Sequence, residues 1–257
     1  MPVSAIRVPA VDAADCRASG FGNYENVASA IACIFAKEFN LSVSGASLLF
    51  HSNQQVFESS LVGANRLDAA YARQTASWAV ALTTPHVIFV NEAALNRLLW
   101  PERVHVLAHE LVHSLQYGLA GGRRGTSDQW LREGIAEWMA SSIVHSLRLG
   151  SLRQRRATAV MRLRKLGLGE TLPALHRMVT FHEFAELRSS LGTYVTYDQA
   201  FIASDFLIQR YGLQSAIQYF RLFAQSDDRL HNFRTAFGKD LSSFEDDFRA
   251  HLQRILP

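Results

Sequence analysis

Two histidines four residues apart, with a glutamate after the first, can do metal chemistry: His109-Glu110-Leu111-Val112-His113. Within an α-helix, residues at that spacing stand one above the other, so His109 and His113 can aim a ring nitrogen each at one cation. Glu110 falls on an adjoining face, where its carboxylate reaches a metal-bound water rather than the metal, with the glutamate as general base. Zinc held by three protein groups keeps a fourth position open and lowers the pKa of water there to about 7. The pattern alone also occurs by chance among ordinary helical histidines, so a third ligand is required.

The segment Trp130-Leu131-Arg132-Glu133-Gly134-Ile135-Ala136-Glu137 supplies a candidate. It opens a second apolar helical run, and Gly118, Gly121, Gly122 and Gly125 make a turn-rich connection able to fold that helix back on the first. Glu133 then points at the metal as the third ligand. Glu137, one turn further on, can accept a hydrogen bond from the ring N–H of a ligating histidine, with His109 the nearer partner, and so fix its tautomer. The expected cofactor is one Zn2+ per chain on His109, His113 and Glu133.

These two segments resemble the gluzincin metallopeptidases, in which a helix with H-E-x-x-H precedes a helix supplying a glutamate ligand. The likeness is to the peptidase MA-like branch, with more distant similarity to the M1 aminopeptidases. The run from Tyr197-Asp198-Gln199-Ala200-Phe201 through Leu207 to Tyr211-Gly212 resembles a further helix of that family. By resemblance, Tyr197 donates a hydrogen bond to the oxyanion. Tyr194 stands close enough to substitute, and a helix-entry aromatic that merely packs on the core is the alternative for Tyr197. Ala236-Phe237-Gly238 and Phe244-Glu245 resemble the family's closing helix and carry no identifiable chemistry.

The resemblance spans about residues 75 to 255 and implies a zincin-like fold hydrolysing peptide bonds in a peptide or protein substrate. It also implies that a sheet edge beside the metal helix takes the substrate backbone as an added strand, with 86–90 or 77–82 as candidates. The M1 enzymes hold the substrate's free amine with a G-x-M-E-N-like segment, and Asn91-Glu92 lacks its glycine and methionine. An endopeptidase or a protease with a dedicated protein substrate is therefore expected rather than a general aminopeptidase. The competing class is a peptidase-like module that binds a partner without hydrolysing it; Glu110, needed only for chemistry, argues against that.

The elements that must position these residues follow from periodicity. Helical spacing covers 24–37, 92–99, 102–119, 128–149, 152–166, 197–210, 213–224 and 242–255, whereas 46–50, 76–82 and 86–90 read as strands, the last two joined by Thr83-Thr84-Pro85. That order predicts an α+β architecture with a small N-terminal mixed sheet beside a larger helical region. A helix/strand subregion over 1–75 and a catalytic region over 76–257 are expected to form one compact domain.

With 257 residues, 48% of them apolar, the chain can bury a core without disulfide staples. Cys16 and Cys33 are expected as free thiols, with Cys33 inside the apolar run 28–36. Residues 1–20 lack the basic and apolar regions of a signal peptide, and no stretch reaches the ~20 apolar residues of a membrane span. A soluble cytoplasmic protein with no membrane partner is expected, with a removed leader or non-classical secretion left open. Arg148, Arg153, Arg155, Arg156, Arg162, Arg164 and Lys165 form a basic run, and the net charge is only +3. A solvated helix face is the better reading than a nucleic-acid surface. His105 reads as structural, and His176 and His182 as loop residues.

Overall fold

Asn23 accepts a hydrogen bond from the Asn26 N–H and starts α1 (Tyr24–Phe39), which ends at Asn40 in the left-handed conformation. The computed structural model describes residues 4–14, 22–43, 45–65, 68–123, 127–167 and 172–256. The expected Cys16 thiol and the glycine at 125 lie outside them. Contacts divide the chain into two units, Met1–Leu115 with Ser142–Gly150, and Gln116–Ser141 with Ser151–Pro257. Residue 75, the expected end of the N-terminal subregion, lies in the first unit, within the helix Ala69–Ala76.

In the first unit, β1 (Ser4–Arg7), β2 (Ser47–His51), β3 (Ala81–Thr83) and β4 (Val87–Asn91) form one mixed sheet in the order β1-β2-β4-β3. β2 and β4 are parallel, and β3 is antiparallel to β4. The 86–90 candidate edge is thus an interior strand, as its buried Ile88, Phe89 and Val90 require, and β1 and β3 are the edges. The 76–82 strand shrinks to β3 because its start belongs to a helix. The alanine-rich stretch α3 (Ala69–Ala76) is capped by Asp68, which accepts from the Ala70 and Tyr71 N–H groups. The turn at Thr84 is present, its N–H donating to the Val87 carbonyl at 2.8 Å. Helix α2 (Gln54–Asn65) was not read from the sequence; its Phe57 and Leu61 pack with Ala72, Ala76 and Phe89. A short α4 (Glu92–Leu95) leads to α5 (Trp100–Leu119), which continues into the second unit.

The second unit contains the end of α5, most of α6 (Gln129–Ser146), α7 (Leu152–Lys165), α8 (Phe181–Leu191), α9 (Thr193–Tyr211), α10 (Leu213–Leu222), α11 (Arg229–Phe237) and α12 (Leu241–Ile255). Its core is aromatic. Trp130 stacks on Phe244 at 6.0 Å, and Phe233 contacts Phe244 at 5.7 Å and Phe237 at 4.6 Å. The Ala236-Phe237-Gly238 segment ends α11, with Phe237 in the core and Gly238 at φ 66°, the left-handed region that glycine enters without a Cβ penalty. Helix α8, expected as loop, is started by a reciprocal cap between Thr180 and Glu183. The whole is α+β with a small mixed sheet. Among the described residues no helix is long and apolar enough to cross a membrane.

Cys33 corrects the sequence reading: it is half-buried in α1 and disulfide-bonded. An apolar run marks burial but carries no signal for oxidation state.

Candidate metal centre

His109 and His113 lie on consecutive turns of α5, and their Nε2 atoms approach to 3.0 Å. Among the described residues, one group can hold a metal ion: a ring nitrogen from each histidine and a carboxylate oxygen of Glu133 lie within 4.8 Å of one another. His109 and Glu133 are buried and His113 nearly so. Ligands about 2.0–2.2 Å from a tetrahedral zinc lie about 3.3–3.6 Å apart, so small side-chain adjustments suffice for coordination. Two imidazoles and one carboxylate, partly desolvated, are a donor set that a divalent cation fits. His105, a turn before His109, has its ring 6.3 Å from that of His109 and is not in the group.

Glu133 is held by its own helix. The Gln129 side-chain amide, four residues earlier, donates to Glu133 Oε1 at 2.7 Å. The Gln116 amide, near the end of α5, donates to the Arg132 carbonyl at 2.9 Å, tying the two helices at the residue before Glu133. The next residue is glycine for a packing reason. A Cβ on Gly134 would lie 2.2 Å from both the Ala200 carbonyl oxygen and Ser204 Oγ, so α6 and α9 cross in near backbone contact there.

Glu110 is fixed from the sheet. Thr83, the last residue of edge strand β3, donates its hydroxyl to Glu110 Oε2 at 2.5 Å. That bond engages Oε2, and through it the edge strand sets the direction of the carboxylate. The sequence reading placed Thr83 only in a turn.

Tyr197 and Tyr194 occupy different environments in the first turns of α9. Tyr197 is half-buried, edge-to-face with Phe184 at 5.3 Å, and one turn before the Ala200 crossing. Tyr194 is 68% exposed, with the Arg162 guanidinium 4.7 Å from its ring centre. Tyr197 has the more restricted setting.

Glu137 Oε2 accepts from Arg155 at 2.9 Å. The same guanidinium donates to Asp198 Oδ1 at 2.7 Å, and Arg162 holds Asp198 through two further bonds. Arg156 pairs with Asp205 through two bonds at 2.7 and 2.8 Å. The basic run is therefore not a solvated face: three of its arginines turn inward onto carboxylates of α6 and α9, the buried apolar residues of α7 are Ala159 and Leu163, and Leu166 is exposed. A one-helix pattern cannot reveal the acidic partners, Asp198 and Asp205, which stand on a helix that reads as apolar. His176 pairs with Glu245 at 3.0 Å and His182 with Glu186 at 3.2 Å. Neither belongs to the metal group.

In comparisons with known proteins, no family model, no curated protein and no solved structure matches the chain.

Proposed function

We propose that the protein is a zinc-dependent peptidase with a zincin-like arrangement, acting on a peptide or protein substrate. The observation that carries this reading is the convergence of His109, His113 and Glu133 within 4.8 Å, beside a Glu110 carboxylate oriented by Thr83. A group that only held a cation for structural reasons would have no need of that oriented carboxylate.

A bound Zn2+ would polarise the scissile carbonyl and make water acidic enough to attack near neutral pH. Glu110 takes a proton from the attacking water as its oxygen bonds to the carbonyl carbon. It then passes that proton to the amine nitrogen as the C–N bond breaks. Tyr197 is the group on this chain suited to donate its hydroxyl to the developing oxyanion, and such donors contribute roughly 10²–10³ in rate. β3, one of the two edge strands, is the edge on which an extended substrate would pair. A dedicated protein substrate or an endopeptidase specificity remains the preferred form, because Asn91, in the place where an amine-binding segment would lie, is spent capping α4. Nucleic acid is not the expected partner, since Arg155, Arg156 and Arg162 are committed to carboxylates. The Cys33 disulfide favours an oxidising compartment over the cytosol.

Metal analysis of the purified protein tests the reading. Roughly one zinc per chain is expected, lost in Glu133→Ala and retained in Glu110→Gln, with peptide turnover abolished in both. Protein with no zinc after metal loading overturns it; zinc with undiminished turnover in Glu110→Gln removes Glu110 as the base.

A further inference from the structure

We propose that Arg155 is the positioning residue of this centre, a single guanidinium that fixes the helix carrying Glu133 and Glu137 against the helix carrying Tyr197. The inference rests on the metal-site reading above. Arg155 Nη2 donates to Glu137 on α6 and Nη1 to Asp198 on α9, at 2.9 and 2.7 Å. Its guanidinium carbon lies 4.3 Å from the centre of the Phe201 ring, one turn beyond Tyr197 and beside the Ala200 crossing. The side chains of Glu137 and Asp198 are only 12% and 1% exposed. Two carboxylates so desolvated can share a site only with a cation between them, and a planar fork bonds both at once where an ammonium cannot.

Position along the chain gives the clamp its consequence. Glu137 lies one turn beyond the Glu133 ligand, and Asp198 directly follows Tyr197. Arg155 thus sets the rotation of α6 that aims Glu133 and the rotation of α9 that aims Tyr197. Arg156, the next residue of α7, makes an equally complete ion pair with Asp205 but touches neither Glu137 nor Asp198 among the bonds described. It is the natural control, since both arginines brace α7 on α9 but only Arg155 bonds a side chain of α6 directly; Arg156 meets α6 only through Asp205, which also accepts from Trp138.

The test is zinc affinity by competition with a chromophoric chelator for the wild type, Arg155→Met and Arg156→Met, with stability followed by urea unfolding. Loss of groups that orient metal ligands typically weakens binding roughly 10–100-fold, and that is expected for Arg155→Met, with Arg156→Met close to the wild type. Through-space charge predicts the opposite sign, because removing a nearby cation should tighten the binding of another. Tighter or unchanged zinc binding in Arg155→Met, or an equal loss in Arg156→Met, overturns the proposal. Should Arg155→Met not fold, Arg155→Lys keeps the charge and removes the fork; weakened binding there supports the clamp and wild-type affinity overturns it. A wild-type protein that takes no zinc overturns the metal reading itself and is distinguishable from every outcome in which only the arginine fails.

Discussion

Thr83 and Glu110 are joined by a 2.5 Å hydrogen bond that runs from the edge strand of the sheet to the carboxylate between the two metal-site histidines. The same hydroxyl oxygen lies 3.1 Å from the Glu110 backbone carbonyl, so strand and helix meet at one side chain. Valine has the shape of threonine without the donor. Thr83→Val is expected to lose about 1–2 kcal/mol of stability in denaturant unfolding, since hydrogen bonds to charged groups are among the stronger ones. Turnover should fall about tenfold with metal content unchanged, a barrier change of about 1.4 kcal/mol. Thr83→Ser should remain near the wild type. A valine variant with full turnover would show that Glu110 is aimed by something else.

The crossing of α6 and α9 at Gly134 makes a separate prediction. A methyl at this position meets a backbone carbonyl at 2.2 Å, and a backbone cannot yield as a flexible side chain can. Gly134→Ala should cost about 1–3 kcal/mol or more and lower the urea midpoint. Gly118, also within a helix but with nothing within 4 Å of its Cβ position, is the counterpart. Gly118→Ala should stabilise by about 0.5–1 kcal/mol through helix propensity. If both alanines behaved alike, close approach would not explain the glycine beside Glu133.

These two contacts mark what the sequence could and could not disclose. The histidine pair and Glu133 were legible because helical spacing puts i and i+4 on one face, and a ligand set is a short-range pattern once two helices are placed. Long periodic helices such as α5, α6 and α9 were legible for the same reason. The α2–α3 region was not, because helices of 12 and 8 residues offer few repeats of the helical period. Gln129, four residues before Glu133, was within reach of helical spacing and was missed. Thr83, Asp198 and Arg155 were beyond it: their roles come from tertiary contacts 27, 43 and 18 residues apart in the chain. The reading of α7 as a solvated face failed because arginine pairs with buried carboxylates as readily as with water when both fork ends are satisfied.

Cys33 yields a chemical prediction independent of the metal. Being disulfide-bonded, its peptide should escape alkylation in denatured, unreduced protein and become labelled after reduction. A bond that constrains the unfolded chain commonly contributes about 2–4 kcal/mol, so reduction should lower the unfolding midpoint. Immediate labelling of Cys33 in unreduced protein would return it to the free thiol expected from composition, and with it the cytosolic assignment.

Two histidines outside the metal group, His51 buried and His251 half-buried, contribute to the acid side of the stability profile. Burial lowers the pKa of His51 below its ordinary 6.5; the residue stacks on Phe89 at 5.9 Å. Burial also lowers that of His251, which stacks on Phe206 at 4.4 Å, with Arg254 adding to the effect and Asp205 opposing it. A depressed folded-state pKa means that the fold favours the neutral ring, so this contribution is fully present above pH 6.5 and is lost as pH falls through the folded value. Other groups contribute over the same range, so the total slope is not diagnostic. The difference between the wild type and His251→Phe is, because groups common to both cancel. In metal-free buffer the unfolding free energy of the wild type should drop relative to that of His251→Phe as pH is lowered from 7.5 to 5. A constant difference across that range would mean that His251 titrates alike in the folded and unfolded chains, and that its stacking on Phe206 does not exclude the charged ring.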